Sequence, residues 1–168
     1  MTIDTLEQLF VHKLGEMYYT EQKLIDALDE MARNTSNDRL SQGFADHRDE
    51  TRTQVGRLED VFDAMGRHPE ERTDELVDAL ETERIEIERQ VDDDDVLDTY
   101  YIGAGKMTER MEMTAYESLL TMAKKLDLGS DVTDLLEANH GEEKSAYREL
   151  DAMSTASDMK SLWDRLTS

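Results

Sequence analysis

Four stretches of this chain carry apolar residues at alternating spacings of four and three, the mark of a helix face buried against other helices. The first runs Phe10, Leu14, Met17, Glu21, Leu24, Leu28, Met31, and the second Leu40, Phe44, His47, Thr51, Gln54, Leu58, Val61, Met65. The third runs Tyr101, Gly105, Thr108, Glu112, Ala115, Leu119, Met122, Leu126, and the fourth Val132, Leu136, Asn139, Glu143, Ala146, Leu150, Met153. A charge as high as this chain's favours disorder, but a disordered chain has no such periodicity. Proline occurs once, at Pro69, and alternation at period two is absent. The chain therefore reads as all-α.

Breakers divide the pattern into elements. Helices are expected over 5–33, 38–65, 70–90, 96–127 and 131–153. The polar turn Arg33-Asn34-Thr35-Ser36-Asn37 ends the first and supplies the next N-cap, and Gly66-Arg67-His68-Pro69 stops the second. Pro69 stands just ahead of the third helix, a favoured place for it. Asp92-Asp93-Asp94-Asp95 reads as a solvated helix start, with acids at the positive end of the macrodipole. A calcium loop would need alternating ligands and a bend glycine, and that run has neither. Leu128-Gly129-Ser130 breaks the fourth helix. A short amphipathic tail helix carrying Met159, Leu162, Trp163 and Leu166 is expected to pack back on the rest. The architecture expected over residues 1–168 is one four-helix bundle domain, with an extra connecting helix between the second and third long helices.

Charge excludes several functions. There are 41 Asp and Glu against 19 Lys and Arg, a net charge of −22. Such a surface lacks the basic stripes that bind nucleic acid and is repelled by anionic membranes. No apolar run is long enough to span a bilayer, and Met1-Thr2-Ile3-Asp4 does not open a signal peptide. There are no cysteines, so thiolate metal sites and disulfides are out. Acid in this excess is tolerable where salt screens it, which predicts a halophilic, cytoplasmic setting.

The interruptions of the seams carry the chemistry. Glu21 breaks the first, His47 to Gln54 the second, Glu112 the third and Glu143 the fourth, each about midway along its helix. Glu50 follows His47 by three residues, Glu109 precedes Glu112 by three, and His140 precedes Glu143 by three, so each pair shares a helix face. Antiparallel helices broken at mid-length bring their polar layers to one height. A carboxylate buried without a partner costs several kcal/mol. Four at one level need a common counter-charge, and a pair of metal ions supplies it. Oxygen and imidazole donors without sulfur suit iron, with manganese as the alternative. Ferritin-like carboxylate bundles use this arrangement of Glu and Glu/His pairs. Glu117, Glu137 and Glu142 lie off the strict seam and read as surface acids, and His12 and His68 as isolated. Met107, Met111 and Met113 read as packing and rim residues.

Leu9-Phe10, Tyr18, Glu21 before Lys23-Leu24, His47-x-x-Glu50-Thr51, and Gln54 with Arg57-Leu58-Glu59 resemble the YciE/YciF ferritin-like family. Glu109-x-x-Glu112 with Tyr116, and Glu142-Glu143-Lys144, resemble its third and fourth bundle helices. The resemblance covers residues 3 to about 152. It implies a ferritin-like bundle with a dinuclear, di-iron centre, a ferroxidase-type activity and a link to stress responses. Carried over, the ligands are Glu21, His47, Glu50, Glu109, Glu112 and Glu143. The chain departs from the family in having Arg110 where a histidine is usual and in having His140. Tyr18 and Tyr116 are candidates for hydrogen-bonding the ligands.

The expected function is oxidation of ferrous iron by dioxygen or hydrogen peroxide. The alternative is a non-catalytic, stress-related helical bundle whose metal site is structural or lost. Apolar residues in the third helix and tail (Leu76, Val77, Leu80, Ile85, Ile87, Leu162, Trp163) exceed what four helices need, and predict a homodimer.

Overall fold

The computed structural model describes residues 2–167, with side chains described for residues 2–155. It contains α1 (Leu6–Asn34), α2 (Asp38–Ala64), α3 (Glu75–Glu88), α4 (Asp94–Lys125) and α5 (Ser130–Thr167), with no strand among the described residues. This is the all-helical bundle the seams predict. The stretch expected as a separate tail helix is continuous with α5, and its packing lies outside the described side chains. No helix of the described residues is long and apolar enough to cross a membrane.

Local chemistry sets the ends. Thr5 caps α1 in a reciprocal capping box with Gln8, Asn37 caps α2 through Arg39 and Leu40 N–H, and Asp93 caps α4 through Val96 N–H. Asp94 and Asp95 lie in the first turn of α4, and the whole acidic run is exposed, as expected of a solvated helix start. The third helix starts later than expected, at Glu75 rather than 70. Asp74 provides the cap, accepting from Leu76 N–H, and the residues before it are used otherwise. Arg72 N–H donates to Gly15 O at 3.0 Å, laying this segment across α1. The crossing is so close that a Cβ on Gly15 would lie 2.6 Å from Glu70 O.

Two apolar clusters establish the helix directions. One joins Phe10, Leu14 and Met17 of α1 with Leu58 and Phe62 of α2, Tyr116 and Leu119 of α4, and Leu136 of α5. The other joins Leu24, Leu28 and Met31 with Leu40 and Phe44, Leu97 and Tyr101, and Leu150. The second half of α1 thus lies beside the first halves of α2 and α4 and the far part of α5. So α2 runs antiparallel to α1, α4 parallel to α2, and α5 antiparallel to α4. The connection from α2 to α4 must return along the bundle, and α3 lies in it, packed on α1 and α4 and adding Val77 to the second cluster. The middle of the bundle, between the clusters, belongs to neither.

Candidate metal centre

That middle layer is polar and buried. Thr20 and Glu21 of α1, His47, Thr51 and Gln54 of α2, Glu109 and Glu112 of α4, and Asn139 and Glu143 of α5 are all buried within it. His47, Glu109, Glu112 and Glu143 each bring one ligand-type atom within 4.8 Å of the others. His47 Nε2 lies 3.2 Å from Glu109 Oε1 and 3.5 Å from Glu143 Oε2. Bonds of about 2.1 Å from a first-row metal to oxygen or imidazole nitrogen fit within that span.

The six residues expected as ligands separate into three groups. Four form the quartet. Glu21 is fully buried in the same layer but is held by a different partner, the hydroxyl of Tyr116, which donates to its Oε1. Glu50 is half exposed, and its Oε2 stands 3.6 Å from His47 Nδ1, too long for a hydrogen bond. It stands at the edge of the layer rather than in it. His140 points away from the quartet, with Nε2 3.4 Å from the exposed Glu117. Of the two tyrosines, only Tyr116 serves the layer. Tyr18 donates to Glu59 Oε1 at 2.8 Å on the outside of the bundle.

Two further residues complete the layer. Gln54 donates to Glu143 Oε1, and Asn139 donates to the Tyr116 hydroxyl at 2.9 Å and to Gln54 O at 3.3 Å. Arg57 donates to Asn139 Oδ1 at 3.0 Å and pairs with Glu142 at 2.6 Å. Glu142 is therefore an anchor between α2 and α5 rather than a simple surface acid. Gln54 and Asn139 were visible as polar members of their seams, and that is the signal that marks them.

Electrostatics work against holding all of these acids ionised at once. Burial drives the Glu21 carboxyl up to about 8, against the pull of Tyr116 and His47. Burial also raises Glu112 and Glu143 well above the ordinary carboxylate value, and the neighbouring carboxylates add to it. Burial opposes charge on His47, but the carboxylate of Glu109 and the acids beside it raise its pKa well above the usual imidazole value. The hydrogen bonds do not satisfy these groups. Glu21 Oε2, Glu109 Oε2, both oxygens of Glu112 and Glu143 Oε2 are buried without a donor. Buried carboxylate oxygens left unpaired are costly, and native proteins rarely keep them without an ion or water. The donor set, carboxylate oxygen with imidazole and no sulfur, fits a hard or borderline divalent metal.

The profile of the family described as "Domain of unknown function (DUF892)" matches residues 5–161, and the chain belongs to that family. Protein YciF of Escherichia coli (strain K12) is 32% identical over 127 residues, covering 75% of this chain and 76% of its own. Among solved structures, YcfI from Rhodopseudomonas palustris, put forward as a structural protein, superposes with a TM-score of 0.86 at 34% identity, covering 89% of this chain and 94% of its own. The E. coli stress protein YciF superposes with a TM-score of 0.86 at 29% identity, covering 91% and 96%. A Xanthomonas campestris protein, at 16% identity and a TM-score of 0.71, covers 96% and 99% and shares the fold.

Proposed function

We propose that this member of the DUF892 family is a ferritin-like dinuclear metal protein that oxidises ferrous iron with dioxygen or hydrogen peroxide as part of stress protection. The observation that carries the reading is the set of five donorless carboxylate oxygens, on Glu21, Glu109, Glu112 and Glu143, buried in the layer where Glu109, Glu112, Glu143 and His47 converge. Glu109, Glu112, Glu143 and His47 would hold iron directly, Glu21 would complete the set from α1, and Glu50 would contribute from the rim. Two ferrous ions supply two electrons, which with two protons reduce one peroxide to two waters. The chain's own part is to hold the carboxylates close together in a buried layer, where a bound cation would take the place of their protons. Tyr116 and Asn139 orient Glu21, and Gln54 orients Glu143. The stress role is supported by the likeness to YciF. A salt-rich cytoplasm is supported by the charge of −22. Assembly as a homodimer of one-domain chains is supported by the exposed Leu76, Val96 and Met107 on α3 and α4.

Anaerobic ferrous titration followed by oxygen or peroxide addition tests the reading. It predicts uptake of two irons per chain by elemental analysis, and consumption of one peroxide per two irons. A protein that takes up no iron, or takes it up and leaves oxidant untouched, overturns it. The second reading, a non-catalytic bundle, then stands, and the likeness to YcfI favours it.

A further inference from the structure

Between the polar layer and the Leu24–Leu150 cluster lies a cavity of about 190 Å³. An apolar cavity of ~150 Å³ admits benzene. The inner end of this one is formed by His47, Glu109 and Glu112, and its walls include Leu24, Leu28, Met31, Phe44, Leu150 and Met153. Small residues on two helices open it, Gly43 on α2 and Ala146 on α5, while Gly105 on α4 makes way for Leu150, whose Cδ1 would lie 2.8 Å from a Cβ there. At Gly43 there is room for more, since among the described residues a Cβ would meet only Met153 Cε, at 3.7 Å. The exposed acids Asp46, Glu50 and Glu149 form the polar edge where the cavity meets solvent.

Stability does not explain the space. A void forfeits dispersion contacts, and one larger side chain at Gly43 or Ala146 would restore them. The three zones select an occupant. Its body must be apolar to match the walls. It must carry no negative charge, because three carboxylates at the entrance and those of the layer repel an anion. One end must reach Glu109 and Glu112. We propose that this cavity binds a small neutral aliphatic molecule, a straight-chain alcohol of roughly six to eight carbons, and presents one end of it to the buried carboxylate layer. This names an organic substrate class for the centre, and it rests on the metal reading only for what the inner end of the ligand meets.

Methionine-methyl NMR on the full-length protein tests it, in the metal-free form and loaded with diamagnetic zinc, with 1-hexanol and hexanoate as probes. Met31 and Met153 line the cavity, whereas Met17 and Met122 belong to the other cluster. Hexanol should shift Met31 and Met153 saturably and leave Met17 and Met122 in place. Hexanoate should bind the metal-free protein at least tenfold more weakly. Gly43→Leu and Ala146→Leu should each weaken hexanol tenfold or more without changing zinc stoichiometry. No saturable shift, equal binding of hexanoate to the metal-free form, or undiminished hexanol binding in whichever filled variant folds would overturn the proposal. Zinc content, measured on the same samples, separates the two ideas. Metal uptake without hexanol binding removes the cavity's role. Hexanol binding without metal uptake supports the cavity and removes the metal centre.

Discussion

Glu112 keeps both carboxylate oxygens buried without a donor, so nothing but a proton or a cation compensates it. Replacing it with leucine removes an unsatisfied group and leaves no new one. Glu112→Leu is therefore expected to raise the stability of the metal-free protein by about 1–3 kcal/mol, and to abolish the gain in melting temperature that ferrous iron gives the parent under anaerobic conditions. Glu21→Leu differs, because it strips the Tyr116 hydroxyl of its acceptor. The two effects offset, and its metal-free stability should stay within about 1 kcal/mol of the parent. Denaturant melts of the two variants check both statements. The same residues fix the response to pH. Glu21, Glu112, Glu143 and His47 all have folded pKa values above their ordinary ones. Between the usual carboxylate value and about 8 for Glu21, the folded chain binds more protons than the unfolded chain. Stability of the metal-free protein must then fall as pH rises through that window, by an amount on the order of a few kcal/mol. Bound metal, which replaces those protons, should flatten or reverse the slope. A metal-free protein more stable at pH 8 than at pH 6 would show that these carboxyls are not buried together. At this scale the sequence was informative wherever a polar residue interrupted a seam, which covers Glu21, His47, Gln54, Glu112, Asn139 and Glu143. It gave no depth for Glu50, because three residues from His47 is a shared face but not a shared burial.

Gly15 and Gly56 separate two reasons for a glycine inside a helix. At Gly15 a Cβ would strike Glu70 O at 2.6 Å, and that carbonyl lies in the segment pinned to α1 by the Arg72 N–H bond. At Gly56 nothing lies within 4 Å. Gly15→Ala should cost about 1–3 kcal/mol despite its better helix propensity, whereas Gly56→Ala should add about 0.5–1 kcal/mol. Thermal melts of opposite sign check the pair, and a Gly15→Ala protein as stable as the parent would mean that the connection does not press on α1. The same crossing explains why the start of α3 was not legible, whereas the other helix bounds were, apart from the continuation of α5 past Met153. Pro69 signals a helix start by its chemistry, but Asp74 caps the helix that forms, and residues between them are committed to α1 by a contact 57 positions away from Arg72. Local pattern carries no trace of such a contact. Nor does it show that Arg84 of α3 is buried, held by Glu30 of α1 and by Glu81 and Glu88 of its own helix.

Across the molecule, the two apolar clusters and the polar layer between them follow from seams broken at mid-length, and so were readable before any coordinates. The cavity was not, because Gly43 and Ala146 look in sequence like the small residues of any close helix packing, and only their meeting from two helices makes a void. Net charge acts on this same scale. A chain of 168 residues with a net charge of −22 repels itself in every compact state. Its arginines and lysines are largely engaged in local pairs, such as Arg48 with Asp29 and Lys106 with Asp151, so they cannot offset the acids that remain over the rest of the surface. Exposed charges lose their mutual repulsion once the screening length shrinks, from about 10 Å at 0.1 M salt to about 3 Å at 1 M. Exposed pairs lose attraction over the same range, but each contributes only about 0–1 kcal/mol. Repulsion relieved by a few kcal/mol corresponds to a rise of roughly 5–10 °C in a protein of this size. The melting temperature should therefore climb between 0.1 M and 2 M potassium chloride, with most of the climb below about 1 M, where the screening length changes most. A rise that is instead linear up to 2 M would point to exclusion of the salt from the surface. A flat or falling profile would mean that the acidic surface is no burden to the fold, and would remove the argument for a salt-rich setting.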